Sequence, residues 1–431
     1  MSQKINLGLI GFGTVGQSVV SLIRENNKEI VSKTGFELCI KKIAVRSIAK
    51  KRAVKVDNSV LTENADEIFS DPEIDIVVEV IGGIEPAKQF IEKAIANNKY
   101  VVTANKALLA KFGEELFELA EKNNSDIYFE AAVAGGIPVI LPVGLSLCSN
   151  KIESIKGILN ATCDYILGRM EEGASYELAL KEAQEKGFAE ADPDFDVSGK
   201  DAMQKLVILA SLSFGTIFKE SDVYLEGITD LKKEDLVNAK KLGYSVKLLA
   251  IAKDSPEGLE LRVHPTLVPK ENLLAFVKGE TKVLTIKGNF CGEVSFLGKG
   301  AGGKPTASAV VADIINAAQD KFSYKENAVH LIDLKKRKEK KILPMSEINS
   351  SYFLSFLLQD FEGTLLKITS IFAENNVNIS SVVQEKSSEQ GFASLLIITH
   401  SCKEKLIKVV LKKISDFKEI KGNVKLIRVE N

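Results

Sequence analysis

The chain has 431 residues, with 57 Lys and Arg against 58 Asp and Glu, a net charge of −1. At roughly 150 residues per domain this length predicts two or three domains, and such a chain buries a sizeable core without disulfides or a structural metal. The balanced charge excludes a field that draws the whole molecule to nucleic acid or an anionic membrane. The five Cys (39, 148, 163, 291 and 402) form no C-x-x-C, which points to a reducing, cytoplasmic compartment rather than a disulfide framework. The three His (264, 330 and 400) are too scattered to assemble a zinc site or a Ser-His-Asp triad readily. The polar start at Met1–Lys4 does not read as a secretory signal, and the longest apolar run, Gly135–Leu147, is broken by Gly and Pro and is shorter than the ~20 residues of a spanning helix.

In chain order, Ile5–Ile10 predicts a strand, Thr14–Arg24 a helix, Phe36–Val45 a strand and Ile74–Ile81 a β-branched strand ending at Gly82-Gly83. Helix Pro86–Asn97, strand Tyr100–Thr103, helix Ala107–Lys122 and strand Ile127–Ala132 follow. Strands alternating with helices predict βαβ units and a buried parallel sheet. The next stretch reads as α+β. Ile152–Leu159 is a strand, Tyr165–Glu171 and Tyr176–Lys186 are helices, and Asp192–Asp196 is a loop. Ser198 is placed to cap a helix to about Ser211. Strands follow at Leu248–Ala252, Leu259–Val263, Val283–Lys287 and Cys291–Phe296, then a helix at Pro305–Gln319. The charge run Lys335–Lys341 reads as a solvated linker. Beyond it, Phe353–Leu358, Thr364–Glu374, Asn378–Gln384, Phe392–His400, Glu404–Ser415 and Val424–Val429 give the order βαββαβ, a ferredoxin-like plan.

Gly11-Phe12-Gly13-Thr14-Val15-Gly16 matches G-x-G-x-x-G between a strand and a helix, the context that marks a dinucleotide-binding turn rather than a glycine-rich turn with no ligand. The second strand ends at Arg46, followed by Lys50, Lys51 and Arg52, where an enzyme selective for NAD usually carries Asp or Glu. Arg46 suits a 2′-phosphate, so NADP(H) is preferred and NAD(H) is the alternative if Arg46 is only a solvated surface residue. Lys106 stands just past a strand end that faces the ligand crevice. Asp192–Asp196 fails as a calcium loop, because Val197 and Met203 occupy the positions that need Gly and Glu. Asp201 and Lys205 are four apart on a helical pattern. That spacing fits a carboxylate–ammonium site beside Glu190 and a plain surface ion pair equally well.

The pattern Ala183-x-x-x-Gly187-Phe188-Ala189-x-x-Asp192-Pro193-x-x-Asp196-Val197-x-Gly199-x-Asp201-x-x-x-Lys205 resembles the signature of the homoserine dehydrogenases. Val101–Lys106, Glu130–Pro138, Gly157–Leu167 and Gly300–Asp313 resemble the same family, and the tail from Tyr352 is similar to an ACT domain. The resemblance implies a Rossmann nucleotide-binding domain at 1–134, completed by a helix at about 305–320. It also implies a substrate and dimerisation domain at 135–304, a linker at 330–350 and a regulatory ACT domain at 351–431. The activity implied is reversible reduction of L-aspartate 4-semialdehyde to L-homoserine by NAD(P)H. With no aspartate kinase module ahead of residue 4, the likeness is to a monofunctional enzyme. Matched residue by residue, Lys205 falls on the proton donor and Lys106 on a second catalytic Lys, with Glu190 and Asp201 on substrate contacts. Gly11–Gly16, Arg46, Thr103, Lys106 and Gly302 fall on cofactor contacts. Glu130, Val133, Gly135 and Ile137 fall on a sodium loop that binds mostly through backbone carbonyls. The expected partners are the small substrate, an amino-acid effector such as threonine and further copies of the chain, in a homodimer or higher oligomer. Neither nucleic acid nor membrane is expected.

Two alternatives stand beside this reading: another semialdehyde or imine reductase on the same scaffold, and a non-catalytic amino-acid sensor. Within Gly157–Leu167 the chain departs from the family pattern at Ala161, Cys163 and Asp164. The first ACT loop, Gln359–Gly363, lacks the usual Pro.

Overall fold

A parallel sheet covered on both faces needs strands that are apolar throughout, and the first third of the chain supplies them. The computed structural model describes residues 2–323, 339–387 and 390–430. Over these, the chain divides into two units, one of Met1–Ile155, Gln204–Asp222 and Thr281–Glu339, the other of Lys156–Met203, Val223–Glu280 and Lys340–Asn431. Lys335–Lys338 of the charge run, His330 and the first part of the linker lie outside the described residues.

The first unit is built on six parallel strands, β1 (Gln3–Ile10), β2 (Phe36–Ala44), β3 (Leu61–Thr62), β4 (Ile76–Glu79), β5 (Tyr100–Thr103) and β6 (Ile127–Tyr128). Their spatial order is β3-β2-β1-β4-β5-β6. The order reverses between β1 and β4, and in such sheets ligands bind outside the carboxyl ends of the strands at that point. The helix Thr14–Thr34 ends on Gly35 at φ 77°, whose N–H donates to the Val31 carbonyl. The late helix Gly303–Ser323 joins the same core: Ala307, Val310, Ile314 and Ala317 cluster with Leu7, Leu9, Val20 and Ile23. The core against this sheet is therefore completed by a helix some 300 residues downstream of its first strand. A hairpin, Thr281–Gly288 with Gly292–Lys299, belongs to this unit.

In the second unit, the antiparallel strands Tyr244–Ser255 and Gly258–Pro269 continue into the C-terminal βαββαβ module. That module has the strand order 420–429, 349–359, 392–399, 379–386, with helices Thr364–Glu374 and Glu404–Ser415. Its last strand pairs in parallel with Gly258–Pro269, Thr266 opposite Arg428 and Leu267 opposite Val429.

Three local expectations are corrected, and two elements are added. The strand expected over Ile127–Ala132 stops at Tyr128, and Glu130–Ala132 is a 3-10 turn, because the Glu130 N–H donates to Asp313 Oδ2 at 2.8 Å. Asp192–Asp196 is not all loop, since Asp194–Val197 makes one helical turn. Ser198 is not a cap; it lies in the helical region of backbone space and its buried hydroxyl has no partner. The polar helix Lys233–Lys241 and the two-residue β3 are additions that periodicity did not announce.

The seam between module and body is ionic. Glu430, nearly buried, accepts from Arg262 Nη2 at 3.1 Å and pairs with Lys156 at 2.9 Å and with Lys253. Burial alone would raise its pKa; the attraction of Arg262, Lys253 and Lys156 outweighs it and holds the carboxyl at about 2, against an ordinary 4.5. His264 is fully buried in the same seam. Burial and then Arg428 and Arg262 keep it well below its ordinary 6.5, so the neutral ring accepts from Arg262 Nη1 at 2.8 Å. Because the folded pKa of Glu430 is the lower one, its stabilisation is complete above pH 4.5 and is lost as pH falls toward 2. Urea unfolding of wild type and Glu430→Gln across this range should show a stability difference that shrinks steadily with acid; a pH-independent difference counts against the ion cluster.

Candidate active site

At the crevice of the first unit, Gly11 adopts φ 105° and its N–H donates to the Ala44 carbonyl at 3.0 Å, tying the turn to the end of β2. A Cβ on Gly16 would stand 2.2 Å from the Gly11 carbonyl oxygen, whereas the Cβ side of Gly13 is open space. This arrangement packs the helix onto the strand and leaves one glycine free for the close approach of a diphosphate. Phe12 is buried, and Thr14 and Val15 open the helix. The turn lines a cleft of about 590 Å³ shared with Arg46, Lys50 and Arg52. Arg46 is exposed at its mouth. The Arg52 guanidinium lies 5.6 Å from the Phe12 ring centroid and donates to the Ser47 carbonyl at 2.8 Å.

The ends of β4 and β5 are tied together by residues that sequence reasoning missed. Glu79 is fully buried at the last position of β4. Its carboxylate accepts from the Ile81 and Gly82 N–H groups at 2.8 and 3.2 Å and from the Thr103 hydroxyl at 2.6 Å. Thr103 Oγ1 in turn accepts from the Asn105 N–H, and the Asn105 side chain donates to the Gly83 carbonyl at 2.6 Å. Asn105 also caps the helix Lys106–Lys122, so Lys106 is its first residue and stands half-buried at the crevice. The available signal was one charged residue in an apolar strand three positions ahead of two glycines.

The loop after β6 has carbonyls to offer and no free carboxylate. Glu130 accepts from the Val139, Ile140 and Leu141 N–H groups at 2.6, 2.8 and 2.9 Å. Burial and then the nearby Glu130 push Asp313 well above the carboxylate range. Ala134 and Gly135 both have φ 57°. A Cβ on Gly135 would meet the Gly300 carbonyl oxygen at 2.5 Å, and one on Gly136 would meet Pro305 Cβ at 2.6 Å. The loop Glu130–Ile137 therefore rests on the glycine-rich segment that holds Gly302, itself at φ 108°. Among the described residues no group of three or more His, Cys, Asp or Glu could hold a metal. A cation at Glu130, Val133, Gly135 and Ile137 would take backbone oxygens, a donor set suited to a hard ion of low charge.

In the second unit, Asn160 caps the helix Ala161–Glu171, and its amide donates to Asp196 Oδ1 at 2.6 Å and to Asp201 Oδ2 at 2.8 Å. The Thr162 hydroxyl donates to the Phe188 carbonyl at 2.6 Å and lies 3.1 Å from Asp196 Oδ2. Asp201 and Lys205 are both buried, at 6% exposure each, so the surface-ion-pair reading of their spacing fails. Glu190 is exposed, and its carbonyl accepts from Gln184 Nε2. The structure thus gathers Asn160, Asp196 and Asp201, and does not add the Glu190 side chain to that group.

Comparison with known proteins gives the family. The homoserine dehydrogenase model matches residues 138–315, its NAD-binding domain model residues 11–130, and the ACT domain model residues 352–419. A homoserine dehydrogenase of Neisseria gonorrhoeae is 42% identical over 100% of this chain and 99% of its own. The chain belongs to the homoserine dehydrogenase family. A crystal structure of a homoserine dehydrogenase from Thiobacillus denitrificans superposes with a TM-score of 0.94 at 40% identity, over 100% of this chain and 99% of that one. A hyperthermophilic archaeal homoserine dehydrogenase in complex with NADPH matches at TM-score 0.63 and 29% identity, over 75% and 100%. The chain is therefore an oxidoreductase of a CH–OH group that interconverts L-homoserine and L-aspartate 4-semialdehyde with a nicotinamide cofactor, and it carries a C-terminal ACT domain. Among the described residues no helix is long and apolar enough to cross a membrane.

Asp164, on the helix Ala161–Glu171, brings a carboxylate charge into a buried place in the second unit. That charge is matched: Asp164 Oδ1 lies 2.7 Å from Lys247 Nζ, with both side chains under 5% exposed. Lys247 also donates to the Val277 carbonyl. Burial raises the Asp164 pKa even though Lys247 pulls it down, and its Oδ2 has no hydrogen-bond partner. Removing one member strands a buried charge, which costs about 3–5 kcal/mol, whereas removing both is far milder. Urea unfolding should therefore show Lys247→Met strongly destabilised and Asp164→Asn/Lys247→Met recovering most of the loss; equal losses would show that the pair does not act as a unit.

Proposed function

We propose that this enzyme prefers NADP(H), and that Lys205 is its proton donor and acceptor with Lys106 as electrostatic partner. In this reading Asp201 and Glu190 hold the substrate ammonium group, and a sodium ion is bound through the carbonyls of Glu130, Val133, Gly135 and Ile137. The observation that carries the reading is the buried Asp201 carboxylate, aimed by Asn160, one helical turn before the buried Lys205. A carboxylate suits an ammonium, and a Lys beside it suits a carbonyl oxygen that gains negative charge. A bound nicotinamide supplies or takes the hydride at the reacting carbon. Lys205 gives the proton to the oxygen in reduction and takes it back in oxidation. The Glu79–Thr103–Asn105 chain fixes the backbone from which Lys106 projects. Lys205→Ala should keep NADPH binding by fluorescence titration and lose about 10²–10⁴-fold in turnover; near-normal turnover removes the assignment.

Arg46, Lys50 and Arg52 around the cleft favour a 2′-phosphate, in keeping with the archaeal relative described in complex with NADPH. L-threonine is the proposed effector. Gly363, at φ 81° with open space where a Cβ would be, leaves the first ACT loop able to approach a small ligand closely. A homodimer or larger assembly is supported by the edge strand Gly292–Lys299, beside which Phe290 is 90% exposed. Homoserine oxidation should run about tenfold or more faster with NADP+ than with NAD+ at equal low concentrations, and threonine should slow it. Equal rates would refute the cofactor preference, and indifference to threonine would refute the effector.

A further inference from the structure

The ACT module does more than sit beside the substrate domain, because one of its side chains reaches the strand on which the carboxylate loop rests. Arg428, with its side chain only 3% exposed, belongs to the last strand of the module. Its Nε donates to Glu404 Oε2 at 2.9 Å, a contact inside the module. Its Nη1 donates to Glu226 Oε2 at 2.7 Å and its Nη2 to the Tyr224 hydroxyl at 3.0 Å, both outside it, and the guanidinium stacks 4.9 Å from the Tyr224 ring centroid. The Tyr224 hydroxyl donates to Glu226 Oε2 in turn, which closes the set.

Glu226 is followed by the residue that touches the carboxylate loop. Gly227 is packed so tightly there that a Cβ would stand 2.5 Å from the Val197 carbonyl oxygen and 2.8 Å from Ser198 Cα. The next N–H, of Ile228, donates to that same carbonyl at 2.9 Å. From the other side Gly199, at φ 85°, presents its Cβ direction to Leu225 Cδ1 at 2.9 Å. Residues Val197–Gly199 are thus seated on Leu225–Ile228 with no slack, and they lie between Asp196 and Asp201, the two carboxylates that share the Asn160 amide.

We propose that Arg428 is a positioning residue of the homoserine reaction: by holding Glu226 and Tyr224 it sets the backbone under Val197–Gly199 and, through it, the aim of Asp196 and Asp201. The proposal rests on the reading of this loop as the site whose carboxylates hold the substrate's ammonium group. It gives the C-terminal module a part in catalysis whether or not an effector is bound, and it makes the Arg428–Glu226 contact the path by which a change in the module reaches the substrate.

The test uses the full chain and compares KM for homoserine with KM for NADP+. Arg428→Met should raise the homoserine KM about tenfold, the scale of one charge-assisted contact, and leave the NADP+ KM within about twofold. Arg428→Lys, which keeps the charge and loses the fork, should fall between Arg428→Met and wild type. Glu226→Gln, on a side chain a third exposed, should move the same constant in the same direction and decides the matter alone if Arg428→Met does not fold. A homoserine KM that stays put, or two KM values that rise together, overturns the proposal in either variant. Asp201→Asn is the companion measurement. If it leaves the homoserine KM unchanged, the loop is not the substrate site and the underlying reading fails; if it raises that KM while Glu226→Gln does not, only the positioning role fails.

Discussion

Two carboxylates brought to one neutral amide are the constraint around which the second unit is organised. Asp196 and Asp201 both accept from Asn160, and neighbouring carboxylates repel one another. The loop that carries them would open to relieve this unless it were braced. The braces are short and mostly local in space: Asn160 fixed as a helix cap, Thr162 against Asp196, and glycines at 199 and 227 that let two backbones meet where any side chain would keep them apart. A site assembled against its own repulsion is selective, because a cation lowers its energy and an anion raises it.

In the first unit the equivalent device is steric rather than ionic. Gly16 lies against Gly11, Gly135 against Gly300, Gly136 against Pro305, and Gly303 against Ser18 and Thr14. These four contacts stitch the diphosphate turn, the carbonyl loop and the late helix to one another. None tolerates a methyl group without a shift of its neighbours. The charged residues at the crevice are then held from behind: Glu79 and Asn105 hold the loop that bears Lys106, and Glu130 holds the helix start that follows the carbonyl loop.

What the sequence disclosed and what it hid divide along sequence distance. Long strands and helices announce themselves by periodicity, as β1, β5 and the helices Thr364–Glu374 and Glu404–Ser415 do, and the glycine turn is recognisable because all its parts lie within six residues. β3, with two residues, has no period to detect, and Lys233–Lys241 is too polar to show an apolar stripe. Glu130 was legible as part of a motif, but neither the turn of its carboxylate onto Val139–Leu141 nor the bond from its N–H to Asp313, which ended the expected strand early. Asp164 looked like an unmatched departure because its partner Lys247 is 83 residues away, and Arg428 meets Glu226 across 202 residues. Pairings of that kind carry no local signal, since either residue alone is an ordinary charge.

The joint between the ACT module and its neighbour shows why such pairings are worth their desolvation cost. Among the described residues, the last strand pairs there at Thr266 with Arg428 and Leu267 with Val429, and the Glu430 N–H donates to the Leu267 carbonyl at 3.0 Å. An apolar joint of similar size would bind as well, but it would tolerate sliding, because hydrophobic contact has no direction. Guanidinium forks do have direction. Arg428 donates to Glu404, Glu226 and Tyr224, and Arg262 to Glu260, His264 and Glu430. A shift of an ångström breaks several charge-assisted bonds at once rather than weakening one. The fork of Arg428 thereby ties the module's last strand to Tyr224 and Glu226 by bonds that have direction, which is what a positioning role through that strand requires.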